Sequence, residues 1–181
     1  MDMFYLGIDI SKSKLDVTLL LDDSRLHHRV FLNSPAGFNQ LSAWLSKRHI
    51  TQVHACMEAT GTYGEALALY LLNSGHIVSV VNPAIIKAFA KTEMSRTKTD
   101  KADSSLIARY CLKYQPQAWA PPSPEISELQ ALLRRLEALL DMRQQETNRL
   151  SAGINAESVE KSVTDHIAYL DSQIAHTLID P

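Results

Sequence analysis

The spacing of apolar residues changes along the chain and predicts a mixed sheet. Three short apolar runs separated by polar turns predict antiparallel strands at 4–10, 15–21 and 26–32. From residue 33 onwards, apolar residues recur every three or four positions, which is typical of amphipathic helices, and short buried strands lie between them. These strands are predicted at 53–57 and 77–81, and the helices at 35–49, 62–73, 84–90 and 100–112. A meander followed by alternating strands and helices predicts a mixed five-stranded α/β sheet with flanking helices.

The last third of the chain has a different pattern. The Pro-rich segment at 115–124 cannot continue a helix and predicts a boundary. Beyond it, apolar residues recur at helical spacing at 126–150 and 159–179, with a break at 151–158. Two long helices joined by a short break are typical of a helical hairpin or coiled-coil arm, although a helical cap on the first domain is the alternative. We therefore predict two domains, at 1–120 and 121–181.

Composition narrows the class of protein. With 181 residues, 45% hydrophobic and 21% charged, the chain can bury a core and is not disordered throughout. No apolar run reaches the length of a membrane helix, and the first residues lack the pattern of a signal peptide. Cys56 and Cys111 have no neighbouring metal ligands in sequence, so neither a disulfide framework nor a zinc ribbon is expected. We expect a cytoplasmic protein in which both thiols are buried.

Positive charge is concentrated in one part of a chain whose formal net charge is −2. A phosphate backbone responds to a local basic patch rather than to the average charge. A solvated helix face is the alternative explanation for such a patch. The candidate nucleic-acid-binding residues are Lys87, Lys91, Arg96, Lys98, Lys101 and Arg109.

Two acidic residues lie at strand positions. Asp9 lies within the apolar run FYLGIDI, and Glu58 directly follows VHACM. Asp is poorly suited to a strand, and a buried carboxylate needs a partner such as a metal ion. Ligands gather at the carboxyl ends of parallel strands, where Glu58 is expected. Alternatively, backbone amides of the next turn satisfy Asp9, and Glu58 begins a helix whose dipole favours it.

Two further acids, Asp100 and Asp103, lie three residues apart in TDKADSS. On a helix, this spacing places both on one face with Cβ atoms about 5–6 Å apart, where they repel unless a cation lies between them. The alternatives are a helix start capped by Thr99 and neutralisation by Lys98 or Lys101. Two acids from strand ends and two from a helix suit a two-metal phosphoryl-transfer site, for which oxygen ligands favour Mg²⁺.

Several ordered blocks of the sequence resemble one family. GIDISKSKLDV, MEATGTYGEALALYL, VVNPAIIKAFAK and SRTKTDKADSSLIARY are similar to segments of the DEDD transposases of the insertion-sequence-110 family. The resemblance implies a ribonuclease H-like, RuvC-type catalytic domain at 1–120, followed by a coiled-coil region at 121–181. It also implies that Asp9, Glu58, Asp100 and Asp103 are catalytic residues that bind Mg²⁺, with Mn²⁺ as a substitute.

The same resemblance implies an activity and partners. Members of the family excise and insert mobile DNA, guided by a structured RNA, and form dimers or tetramers partly through the coiled coil. They act in the bacterial cytoplasm at the nucleoid. In this family a carboxy-terminal domain supplies a serine nucleophile, and no serine here can be assigned that role. We therefore expect the serine-bearing domain to lie outside this chain, and the chain alone to be inactive.

Three other functions fit part of the pattern. A stand-alone RuvC-like endonuclease would use the same carboxylates with water as the nucleophile. An actin-like ATPase or sugar kinase also opens with a similar strand, but SKSKLD lacks the glycines of a phosphate-binding hairpin. A non-catalytic dimerisation module would show no affinity for divalent ions. Metal-dependent nicking, ATP binding and metal titration distinguish the three.

Overall fold

The computed structural model describes residues 3–21, 25–59, 61–93 and 99–179. The chain divides into two compact units, at 1–120 and 121–181. The described strands of the first unit are β1 (Phe4–Ile10), β2 (Lys14–Leu20), β3 (Leu26–Leu32), β4 (Val53–Glu58) and β5 (Ile77–Val81). Its described helices are α1 (Pro35–Ser46), α2 (Glu65–Asn73), α3 (Pro83–Thr92) and α4 (Asp100–Tyr114).

The five strands form one mixed sheet in the order β3-β2-β1-β4-β5. β1, β2 and β3 pair antiparallel, whereas β4 and β5 run parallel to β1. The carboxyl ends of β1 and β4 therefore lie at the same edge of the sheet. This order and these directions are those of a ribonuclease H-like fold, so the predicted fold class is confirmed.

Alternating side chains give the sheet two buried faces. Leu6 and Ile8 of β1 belong to a core with residues of α1 and α2, whereas Tyr5 belongs to a second core with α3 and α4. Side chains of a strand point to opposite faces in turn, so Gly7 and Asp9 lie on the face of Tyr5. The central strand thus carries an acid on the face that α4 covers.

Helix α4 lies directly against β1 at Gly7. A Cβ atom at this position would collide with Ser104 O and Ala108 N and would lie 2.8 Å from Ala108 Cα. Beside it on β2, the buried Thr18 hydroxyl hydrogen-bonds to the Ser104 hydroxyl at 2.8 Å. Glycine is thus required where the helix backbone meets the strand. This contact fixes the height of α4 above the sheet.

Some helix limits differ from the prediction. Helix α2 begins at Glu65 rather than at residue 62, because residues 61–64 form a turn in which Gly61 adopts a left-handed φ of 61°. Helix α1 ends at Ser46, before His49 with its φ of 58°. Residues 94–98, between α3 and α4, lie outside the described part of the chain.

The second unit consists of α5 (Pro124–Ser151) and α6 (Glu157–Ile179). Arg143 pairs with Asp171, and Glu146 pairs with His166 at 3.1 Å, so the two helices run antiparallel. Leu139 is buried in this unit. The described helices include none whose length and apolar character would suffice to cross a membrane.

Candidate functional site

The sheet places Asp9 and Glu58 side by side. Asp9 is the penultimate residue of β1, and Glu58 is the last residue of the parallel strand β4. Ile8 of β1 pairs with Met57 of β4, so the two acids follow this pair on the face that α4 covers. Both side chains are half-buried. Asp9 and Glu58 therefore lie near the carboxyl ends of two neighbouring parallel strands.

The first turn of α4 brings two more acids to this edge. Thr99 caps the helix, and its hydroxyl accepts a hydrogen bond from Ala102 N at 3.2 Å. Oxygen atoms of Asp9, Asp100 and Asp103 all lie within 4.8 Å of one another. Glu58 follows Met57, the partner of Ile8, and therefore lies beside Asp9, and the charges of Asp9 and Asp103 act on it. We call Asp9, Glu58, Asp100 and Asp103 the acid cluster.

Burial and mutual repulsion shift the titration of the acid cluster. Burial raises the pKa of Asp9, and the charges of Asp103 and Asp100 raise it further. Burial also raises the pKa of Glu58, with smaller contributions from Asp9 and Asp103. Protonation or a nearby cation would therefore stabilise both carboxyl groups in the folded protein.

Asp100 differs from these acids because a lysine contacts it. Lys14 Nζ donates to Asp100 Oδ2 at 2.5 Å, and this hydrogen bond lowers the pKa of Asp100. The same ammonium lies 3.0 Å from Oδ2 of the buried Asp16. On the other side of Asp16, Oδ1 lies 3.2 Å from His28 Nε2. Lys14 is thus shared between a buried carboxylate and the acid cluster.

Lys14 and Asp16 are not among the residues that the sequence pattern singled out. Asp16 interrupts the apolar run LDVTLLL as Asp9 interrupts FYLGIDI, so the same signal could have identified it. Lys98 and Lys101 were the lysines considered as neutralising partners of Asp100. Lys98 lies outside the described residues, Lys101 is exposed on α4, and the cation in contact is Lys14.

The acid cluster suits a hard divalent cation. Its donor atoms are all carboxylate oxygens, the ligand type that Mg²⁺ and Mn²⁺ prefer over nitrogen or sulfur. The three acids within 4.8 Å could each offer one ligand atom to a single ion. Burial, and then the charges of the neighbouring acids, raise the pKa values of Asp9 and Glu58, and a bound cation would oppose both effects.

Four of the six predicted nucleic-acid-binding residues lie on two helices that contact each other, α3 and α4. Lys87 and Lys91 are exposed on α3, and Lys101 and Arg109 are exposed on α4. Arg109 also lines a cavity of about 430 Å³ between these helices. The remaining two predicted residues, Arg96 and Lys98, lie outside the described part of the chain.

Comparison with known proteins identifies the family. Residues 6–156 match a family described as Transposase, that of the DEDD transposases of insertion sequence 110. The chain belongs to this transposase family. This transposase-family chain is 35% identical over 181 residues to the Pilin gene-inverting proteins of Moraxella bovis and Moraxella lacunata. The alignment covers 96% of the chain and 56% of each relative, so the chain spans about half of their length.

A solved structure is also similar to this member of the transposase family. Thermus thermophilus RuvC matches with a TM-score of 0.45 and 17% sequence identity. The match covers 62% of this chain and 95% of the RuvC chain.

Proposed function

We propose that residues 1–120 form the metal-dependent catalytic domain of a DNA recombinase that excises, inserts or inverts a DNA segment. The observation that carries this proposal is the acid cluster at one edge of the sheet, in a chain of the transposase family. Two relatives named for pilin gene inversion support DNA rearrangement over the actin-like ATPase alternative.

In this proposal, Asp9, Glu58, Asp100 and Asp103 hold Mg²⁺, or Mn²⁺ in its place. Once bound, the ion supplies charge stabilisation for phosphoryl transfer. Asp9 and Glu58 hold their oxygens on the rigid sheet, and Asp100 and Asp103 add theirs from the first turn of α4. The packing of α4 against Gly7 keeps the two pairs at a fixed separation.

The proposed partners are DNA and a structured guide RNA. Exposed Lys87, Lys91, Lys101 and Arg109 would hold phosphates through charge, as polyanion binding requires. Arg96 and Lys98 are part of the same proposal. In the same proposal, a serine of the recombinase would lose its hydroxyl proton and attack the phosphorus atom, and the scissile sugar oxygen would leave as the new link forms.

We propose that residues 121–181 act as an oligomerisation arm. On α5, apolar residues recur with alternating spacings of three and four, which is the heptad pattern of a coiled coil. Ile126, Leu129, Leu133 and Leu140 in this pattern are 47–51% exposed within one chain. A second copy would bury them. Leu129→Lys with Leu133→Lys should convert a dimer or tetramer to monomers in multi-angle light scattering, and an unchanged mass would oppose this assignment.

Recombination by a protein that contains this chain tests the function. A plasmid assay should show rearranged DNA with the wild type and none with Asp9→Asn or Asp103→Asn, while both variants keep the circular dichroism spectrum. Asp141→Asn, at an exposed acid of α5, is the matched control and should recombine normally. Wild-type recombination by Asp9→Asn would refute the proposal. Metal-dependent nicking of branched DNA by residues 1–181 alone would favour the endonuclease alternative.

A further inference from the structure

Lys14 occupies a place where it competes with any metal ion for Asp100. Its ammonium lies 2.5 Å from Asp100 Oδ2 and 3.0 Å from Asp16 Oδ2. Asp100 in turn groups with Asp9 and Asp103 within 4.8 Å. One carboxylate oxygen cannot bind an ammonium group and a divalent cation at full strength at the same time, because the two cations repel each other.

The position of Lys14 is fixed by the turn that precedes β2. Ser11 N donates to Lys14 O at 3.0 Å, and Lys14 N donates to Ser11 Oγ at 3.2 Å. Asn33 Nδ2 closes the other side of the turn by donating to Ser11 O at 2.9 Å. The hydrogen-bonded turn therefore holds the Lys14 backbone where its ammonium group can contact the acid cluster.

Asp16 gives the ammonium a second anchor. The Asp16 side chain is only 6% exposed, and its other oxygen lies 3.2 Å from His28 Nε2. Strand pairing places Asp16 directly opposite Asp9. If the ammonium leaves Asp100, it keeps the ion pair with Asp16 and needs no new partner. Displacement from Asp100 therefore requires a small movement of one flexible side chain.

We propose that Lys14 is a positioning residue that acts as the internal counter-ion of the acid cluster. Its ion pair with Asp100 breaks when a divalent cation binds. This inference rests on the proposed metal-binding function. In the metal-free protein, Lys14 offsets the repulsion among the carboxylates of the acid cluster and keeps the first turn of α4 at the sheet edge. On metal binding, it moves wholly to Asp16. Lys14 thereby sets the metal affinity without contacting the DNA phosphate.

Titration with Mn²⁺, followed by electron paramagnetic resonance of free Mn²⁺, measures the effect directly. Lys14→Met should bind Mn²⁺ about two- to fivefold more tightly than the wild type, the factor that corresponds to an exposed ion pair. Lys14→Arg keeps the charge and should leave the affinity within about twofold of the wild type. Lys12→Met removes an equal charge from an exposed position in the same turn and should change little.

A double-mutant cycle with Asp100→Asn separates the direct contact from the general effect of charge. In the Asp100→Asn background, Lys14→Met should tighten Mn²⁺ binding clearly less than it does in the wild type. Unchanged or weaker binding by a folded Lys14→Met protein would overturn the inference while leaving the metal site in place. If the wild type bound no Mn²⁺, both the inference and the proposed function would fail.

Discussion

Replacing Asp9 by Asn tests whether the acid cluster destabilises the fold when no metal is bound. Asn has nearly the same shape but no charge, so the substitution removes repulsion without leaving a cavity. Because burial and the neighbouring charges of Asp103 and Asp100 raise the pKa of Asp9, its ionised form is disfavoured in the folded protein. The metal-free Asp9→Asn protein should therefore be more stable than the wild type at neutral pH.

The size of the effect follows from the spacing of the carboxylates. Two unit charges at 4.8 Å, the upper limit of the observed separation, repel by about 0.9 kcal/mol in water and about 3.5 kcal/mol at an effective dielectric constant of about 20. Asp9 is only half-buried, and Lys14 offsets part of the repulsion. We therefore expect a net gain near the lower limit, about 1 kcal/mol.

Metal binding should reverse the order of stability of the two proteins. At a Mg²⁺ concentration tenfold above its Kd, binding to the folded state adds about 1.4 kcal/mol to the wild type. Asp9→Asn should gain clearly less because it has lost a ligand. The advantage of the variant without metal should also shrink as the pH falls through the raised pKa of Asp9, because the wild-type carboxyl then becomes protonated and uncharged.

Urea unfolding followed by tryptophan fluorescence measures these differences in the stability of the first unit. Trp44 and Trp119 are the two tryptophans of the chain, and both pack in the core of the first unit. The signal therefore reports that unit without the helical arm. A metal-free Asp9→Asn protein that is less stable than the wild type, together with an equal gain from Mg²⁺ in both, would refute the reasoning.

Three other predictions concern the packing of the first unit. Gly7→Ala should cost about 1–3 kcal/mol by pushing α4 from β1, and it should also weaken Mn²⁺ binding. Thr18→Val should cost about 0.5–1.5 kcal/mol in urea unfolding, because it removes this hydrogen bond while the Ser104 hydroxyl keeps its bond to Lys101 O at 3.2 Å. Burial lowers the pKa of His54, so the first unit should lose stability as the pH falls below about 6.5 towards that lowered pKa. His54→Gln should reduce this slope in urea unfolding at a series of pH values.

For each of these three predictions, one result would contradict the stated physical reason. Unchanged stability of Gly7→Ala would show that α4 does not touch the strand. Thr18→Ser keeps the hydroxyl and is the matched control, so an equal loss in Thr18→Ser and Thr18→Val would remove the hydrogen bond from the explanation. An unchanged acid slope in His54→Gln would assign the slope to other groups, such as His76, whose pKa burial also lowers.

The sequence predicted the strands of this fold better than the contacts between them. β1, β3 and β5 match their predicted limits because alternation and flanking turns mark both ends of a strand. The meeting of Asp9 and Glu58 could be predicted because parallel strands end at one edge of a sheet. The Lys14 contact could not, because its partner Asp100 is 86 residues away. That contact depends on the packing of α4 at Gly7, which spacing along the chain does not encode.

The most direct test of the account is a crystal of this protein soaked with Mn²⁺ and measured for anomalous scattering. The account predicts an anomalous peak for manganese among the carboxylate oxygens of Asp9, Glu58, Asp100 and Asp103. The Lys14 ammonium group should then contact Asp16 and no longer Asp100. A well-ordered crystal at high Mn²⁺ concentration with no peak among these carboxylates would contradict the claim that the acid cluster is a metal centre.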